Sequence, residues 1–167
     1  MGARIATLWD CQPRGLPTSR RIADSARRIT PVELEQQLAS VPLLAGLDSR
    51  IRHRLAETGK RRTYGTDEEI VREGSNGTAL YIVLSGEGRV ERGGERLGTV
   101  HAGDFFGELA LIEEHPRSAS VIAATDTECL LFPAWEFTAL LEEHPAIAVP
   151  IMRALIQRLH RREHHGA

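Results

Sequence analysis

Thr78 to Val100 reads TALYIVLSGEGRVERGGERLGTV. Tyr81 and the rest of the YIVL run have the β-branched and aromatic character of a strand core, stopped by Ser85 and Gly86. Gly93-Gly94 sits between VER and ERL, where a two-residue hairpin turn is expected. The same texture extends both ways. Tyr64-Gly65 and EEIVREG (68–74) lie upstream, and SASVIAATDTECLLF (118–132) lies downstream. Gly74, Gly77, Gly86, Gly93, Gly94, Gly98 and Gly103 punctuate these pieces. Short strands at this spacing from Arg61 to Phe132 predict an all-β barrel or sandwich rather than a parallel βαβ sheet.

Helical signals flank the β region. Thr30-Pro31-Val32-Glu33 combines a capping threonine, a proline suited to the first helical position and a glutamate placed to complete a capping box. That helix is expected to run to about Ser40, with Pro42 interrupting. Asp48 is placed to cap a second helix, with Ile51 and Leu55 on one face and Gly59 as its stop. After Pro133, WEFTALLEEH carries Phe137, Leu140 and Leu141 at helical spacing. A further helix is expected over Ala146–Arg162, with Ile151, Leu155, Ile156 and Leu159 on one side and a bend near Pro150. The expected organisation is an Arg-rich extension (1–29), N-terminal helices (30–59), a β-roll or jelly-roll barrel (60–133) and C-terminal helices with a tail (134–167). The fold class is mainly β with flanking α-helices.

Charge is unevenly spread over the 167 residues. Residues 1–30 carry six Arg against Asp10 and Asp24, residues 31–150 carry a net −9, and residues 151–167 carry a net +3. An acidic body does not draw a phosphate from a distance, so an anionic ligand would depend on a few local donors. Aromatic residues make up 5%, which argues against a stacking platform for single-stranded nucleic acid. Cys11 and Cys129 offer neither a disulfide framework nor zinc spacing, so a reducing compartment is expected. No apolar run approaches the length of a membrane span, and MGARIATLWDCQPRG lacks the sustained apolar stretch of a signal peptide. The expected location is the cytoplasm.

The chemistry concentrates in Phe106–Val121, FGELALIEEHPRSASV. Gly107 allows close approach of the backbone to a ligand, and the free amides at the start of the following apolar run make an anion site. Arg117 comes nine residues after Glu108, behind Pro116, and the small residues Ser118, Ala119 and Ser120 leave room beside its guanidinium. A guanidinium forks onto two phosphate oxygens, and a carboxylate accepts from a sugar hydroxyl. The bland alternative for Glu108 and Arg117 is a structural ion pair in a turn.

This stretch resembles the phosphate-binding cassette of cyclic nucleotide-binding domains, found in protein kinase A regulatory subunits, cyclic-nucleotide-gated channels and bacterial catabolite activators. The resemblance covers roughly Leu43 to Arg162 and includes the Gly-rich β-roll with YIVLSGEGRV, the GDFFGE lead-in and two closing helices. It implies that Glu108 binds the ribose 2′-hydroxyl and Arg117 the cyclic phosphate. Amides around Gly107, Leu109, Ala110, Ser118 and Ala119 would add donors. Ser118, which follows the arginine, points to cAMP ahead of cGMP. The resemblance also implies a C-terminal lid, with Leu155, Arg158, Leu159 and Arg162 as candidates to cover the base, and a ligand-driven switch without catalysis. One departure is Asp67-Glu68-Glu69, where the family often has Gly-Glu, a difference that bears on a turn and not on the pocket. The residues after the barrel are too few for the helix-turn-helix of the catabolite activators, so direct DNA binding is not expected. A protein partner is left open.

Two rivals remain. The fold could serve as an interaction module without nucleotide, against which the intact Glu108 and Arg117 speak. A cupin-like barrel enzyme would need inward-pointing metal ligands, but Arg61–Phe132 contains only His101 and His115. His160 and His164 stand at i, i+4 without an acidic or cysteine partner, and neither a metal nor a cofactor is expected.

Overall fold

The computed structural model describes residues 30–108 and 115–163. The Arg-rich extension over 1–29 therefore lies outside the described residues. Helix α1 spans Pro31–Ala39. Its start follows from the sequence, because the Glu33 amide donates to Thr30 Oγ1 while the Glu33 carboxylate accepts from the Thr30 amide. Helix α2 spans Ser49–Thr58, and the Ile51 amide donates to Asp48 Oδ1. Gly59 stops α2, as expected. It is extended (φ −64°, ψ 137°) and leads straight into a strand. Space explains the glycine, since a Cβ there would lie 2.8 Å from both Leu130 Cδ1 and the Leu55 carbonyl oxygen.

Among the described residues eight strands follow, all paired antiparallel: β1 (Lys60–Tyr64), β2 (Glu69–Val71), β3 (Ala79–Ser85), β4 (Glu87–Arg92), β5 (Glu95–His101), β6 (Phe105–Phe106), β7 (Ser120–Ala123) and β8 (Thr127–Pro133). They form two four-stranded sheets, ordered β1-β8-β3-β6 and β2-β7-β4-β5. The Gly93-Gly94 hairpin has φ of +57° and +83°, both residues left-handed, as a type I′ turn requires. Asp67 adopts the left-handed region at φ +66°. Aspartate tolerates that region better than most residues. Here its carboxylate also accepts from Arg89 Nη1 at 2.8 Å.

Helix α3 (Ala134–Glu143), a 3₁₀ turn (Pro145–Ile147) and α4 (Ala148–Glu163) complete the described chain. The chain breaks between α3 and α4 at the 3₁₀ turn that Pro145 opens. Pro150 instead lies in the first turn of α4, where a missing N–H leaves no intrahelical bond unmade.

Alternation along β3 and β8 divides the interior in two. Leu80, Ile82, Leu84, Leu130 and Phe132 pack against α1, α2, α3 and α4 through Leu34, Leu38, Leu55, Phe137, Leu140 and Ile151. Their neighbours Val83, Cys129 and Leu131 face the other way, into a second cluster with Tyr64, Val71, Val100, Phe106 and Val121 between the sheets. Period-two geometry sends successive side chains to opposite faces, so a strand buried on both must be apolar throughout. That accounts for the unbroken YIVL and CLLF runs.

Cys129 is fully buried, and burial, helped by the adjacent Glu128 carboxylate, pushes its thiol from 9.0 up to about 12. The folded chain thus keeps a proton that an exposed thiol releases near pH 9. The stabilisation is complete below that pH and is lost as pH rises toward 12. Unfolding midpoints are expected to fall between pH 9 and 11, with a shallower decline in Cys129→Ala. Peptide mapping after iodoacetamide treatment should show Cys129 protected until denaturant is added. Equal slopes in the two proteins would contradict this account.

Candidate functional site

The Phe106–Val121 segment bridges the two sheets. It leaves the first sheet from β6, which pairs with β3, and enters the second at β7, which lies between β2 and β4. Gly107 turns the chain at φ +91°, a conformation that suits glycine. Glu108 follows and is 1% exposed. On the returning arm Arg117 is 6% exposed. Residues distant in sequence place the Arg117 backbone: the Gly74 amide donates to its carbonyl at 2.8 Å, and its own amide donates to the Ser75 carbonyl at 2.9 Å. The loop between β2 and β3 therefore holds Arg117 as a short strand would.

The guanidinium is seated by backbone. Nη1 donates to the Gly107 carbonyl at 2.7 Å, and Nη2 donates to the Ala79 carbonyl at 2.6 Å. Its Cζ lies over the Tyr81 ring, 5.7 Å from the centroid. The Tyr81 ring in turn stacks on Phe106 at 4.9 Å and 7°. Two glycines make the space. A Cβ on Gly77 would lie 1.8 Å from Arg117 Nε, and one on Gly107 would lie 2.4 Å from Nη1. Burial pulls the guanidinium below its ordinary pKa range, while Tyr81 and the Glu108 carboxylate push it back up. Among the described residues, two of the five N–H groups of Arg117 are engaged. The amides of Ser118 and Ala119 likewise have no acceptor among the described residues.

This arrangement is a fixed cation with unspent donors, adjacent open amides and a buried carboxylate close enough to favour the charge. It suits an anion whose other end offers a hydroxyl. Ser118 is exposed, and its carbonyl accepts from Arg92 Nε at 2.7 Å. Glu73 closes the surround, its amide donating to Ser120 Oγ and its carboxylate accepting from the Gly93 amide.

A family model for the cyclic nucleotide-binding domain matches residues 61–144. The chain belongs to the cyclic nucleotide-binding domain family. A cAMP-dependent protein kinase regulatory subunit of Hypocrea atroviridis is 35% identical over 107 residues, covering 64% of this chain and 23% of that protein. The Cyclic AMP receptor protein of Thermus thermophilus is 38% identical over 105 residues, covering 60% of this chain and 49% of the other. The solved structure described as cAMP-bound PfPKA-R superposes with a TM-score of 0.74 at 26% identity, over 81% of this chain and 47% of that one. The chain thus spans about a quarter to a half of these three proteins. Those relatives carry regulatory rather than catalytic names.

Within this cyclic nucleotide-binding domain, the structure brings Gly107, Glu108 and Arg117 together, with Ser118 and Ala119 on the same arm. Leu109 and Ala110 lie outside the described residues. Leu155 is half-buried against the helical cluster. Arg158, Leu159 and Arg162 fall on α4, their side chains outside the described set. Among the described residues no group of three metal-ligating side chains occurs, and no helix is long and apolar enough to cross a membrane. The sequence reading missed Gly77, Ala79 and Tyr81. Their signal was present as every second residue leading into YIVL, but it read as turn punctuation and strand core.

Proposed function

We propose that this domain is a cyclic-nucleotide receptor, with cAMP preferred over cGMP, that switches conformation on binding and carries out no reaction. The observation that carries this reading is the buried Arg117, seated on two carbonyls with further N–H groups unspent, beside the buried Glu108. In this reading Arg117 forks onto the cyclic phosphate, and Glu108 accepts from the ribose 2′-hydroxyl. The amides of Gly107, Leu109, Ala110, Ser118 and Ala119 add donors. Ser118 beside the phosphate arm, rather than threonine, supports the preference for cAMP. No metal or cofactor takes part.

Ordering of the 106–121 cassette would draw α4 over the base. Helix α4 carries exposed Val149, Met152 and Ile156 at i, i+3 and i+7, an apolar stripe of the kind a lid presents. Leu155, Arg158, Leu159 and Arg162 are the further lid candidates. The ligand shifts the open–closed balance only by its difference in affinity for the two states. The regulatory kinase subunits among its relatives support a protein partner, best sought among kinases, in the cytoplasm. Direct DNA binding is not part of the reading.

Calorimetric titration of the full chain with cAMP and with cGMP tests the proposal. Saturable binding of cAMP, tighter than that of cGMP, is expected. Absence of heat and of any thermal stabilisation with both nucleotides would leave the interaction-module reading standing.

A further inference from the structure

We infer that Tyr81 is a positioning residue for the phosphate-binding guanidinium, its ring face holding the Arg117 charge in register with the carbonyls of Ala79 and Gly107. The inference rests on the cyclic-nucleotide reading above.

The contacts form a closed circuit. Arg117 lies over Tyr81 at 5.7 Å, Tyr81 stacks on Phe106 at 4.9 Å, and Phe106 precedes Gly107, whose carbonyl accepts from Arg117 Nη1 at 2.7 Å. Tyr81 and Phe106 are also direct partners in the β3–β6 ladder, so the stack is built into the register of the sheet. Gly77, Ala79 and Tyr81 alternate along the chain into β3 and contribute, in turn, empty space, a carbonyl and an aromatic face to one guanidinium. The other interior positions of β3 and β8 are filled by Val83, Cys129 and Leu131, so filling space between the sheets does not by itself call for a ring at 81.

A guanidinium taken out of water needs compensation from every side it presents. Two carbonyls lie in its plane, where N–H groups point, and leave its flat face uncovered. An aromatic ring within about 6 Å supplies negative quadrupole density to that face without competing for N–H donors. The donors therefore stay available for phosphate oxygens. A carboxylate in place of the ring would neutralise the charge the ligand needs, and an aliphatic side chain would leave it uncompensated.

Fluorination separates this role from packing, because it drains the ring quadrupole with little change of shape. Residue 81 of the full chain is replaced by phenylalanine, trifluorophenylalanine and pentafluorophenylalanine, and cAMP affinity is measured by calorimetry. Tyr81→Phe is expected to stay within about twofold of wild type, and pentafluorophenylalanine to weaken binding roughly three- to thirtyfold, with the trifluoro ring between them. A flat series, with wild type binding cAMP, overturns the role of Tyr81 alone. Failure of wild type to bind either nucleotide overturns the receptor reading, and this inference with it. A second measurement needs no ligand: the Arg117 Nε–Hε resonance is expected at a ring-shifted position in wild type and Tyr81→Phe, and to lose that shift in Tyr81→Leu. An unchanged resonance in Tyr81→Leu also overturns the inference.

Discussion

Arg117→Ala weakens cAMP binding by roughly 30- to 3,000-fold, the range that follows from about 2–5 kcal/mol for removing one partner of a buried charged pair at tenfold per 1.4 kcal/mol. On the proposed reading, the ligand's phosphate loses its forked partner within a body whose residues 31–150 carry a net −9. The free protein changes less. Removing the guanidinium leaves the Gly107 and Ala79 carbonyls without their donors, at a cost on the order of 1–3 kcal/mol each if water cannot reach them. Relief from burying a charge offsets part of that cost. A modest drop in melting temperature is therefore expected beside a large loss of affinity. Arg117→Lys should fall between the two, because a lysine keeps the charge but cannot span two carbonyls and a phosphate with one ammonium. Affinity equal to wild type in Arg117→Ala, measured by calorimetry on folded protein, would remove the phosphate role from this residue.

The fold was legible because its signals are local and redundant. Thr30 with Glu33, Asp48 before Ile51 and Gly93-Gly94 each state a helix start or a turn in a few residues, and each forms as its chemistry requires. Pro150 shows how a proline depends on where its helix starts: read within a helix from Ala146 it suggests a bend, whereas the start at Ala148 puts it in the first turn. Gly59 stops α2 as read, and its lack of a side chain serves close packing beside Leu130 on an extended backbone.

That Glu108 and Arg117 come together was also readable, because one short loop contains both. The seat beneath Arg117 was not. Gly77, Ala79 and Tyr81 come from some 40 positions earlier in the chain, and only the pairing of β3 with β6, and of residues 74 and 75 with 117, brings them to the guanidinium. An alanine carbonyl leaves no mark in a sequence, and a tyrosine in an apolar strand looks like core. A residue that acts through its backbone or through its lack of a side chain becomes visible only once the strands are paired.

Gly77→Ala is the sharpest consequence of that seat. The added Cβ would lie 1.8 Å from Arg117 Nε, 2.1 Å from Cζ and 2.5 Å from Nη2, and no backbone atom stands among those nearest neighbours. Gly77 has no left-handed φ to lose. The obstruction is therefore resolved by moving the far end of one flexible side chain, and the fold is expected to lose no more stability than Arg117→Ala does, since the same carbonyl contacts are given up. The guanidinium, however, cannot stay on both the Ala79 and Gly107 carbonyls, and cAMP affinity should fall by roughly one to two orders of magnitude, part of the range for loss of the charged contact itself. Gly107→Ala provides the contrast. There the Cβ meets Arg117 Nη1 at 2.4 Å and the Ala79 carbonyl oxygen at 2.9 Å, on a backbone at φ +91°, so affinity and stability should fall together. If Gly77 acts only through Arg117, the two substitutions are not additive, and Gly77→Ala should cost nothing further in cAMP affinity once Arg117 is alanine. A Gly77→Ala protein that keeps wild-type affinity, or one that loses the same factor in both backgrounds, would show that the guanidinium does not depend on this space.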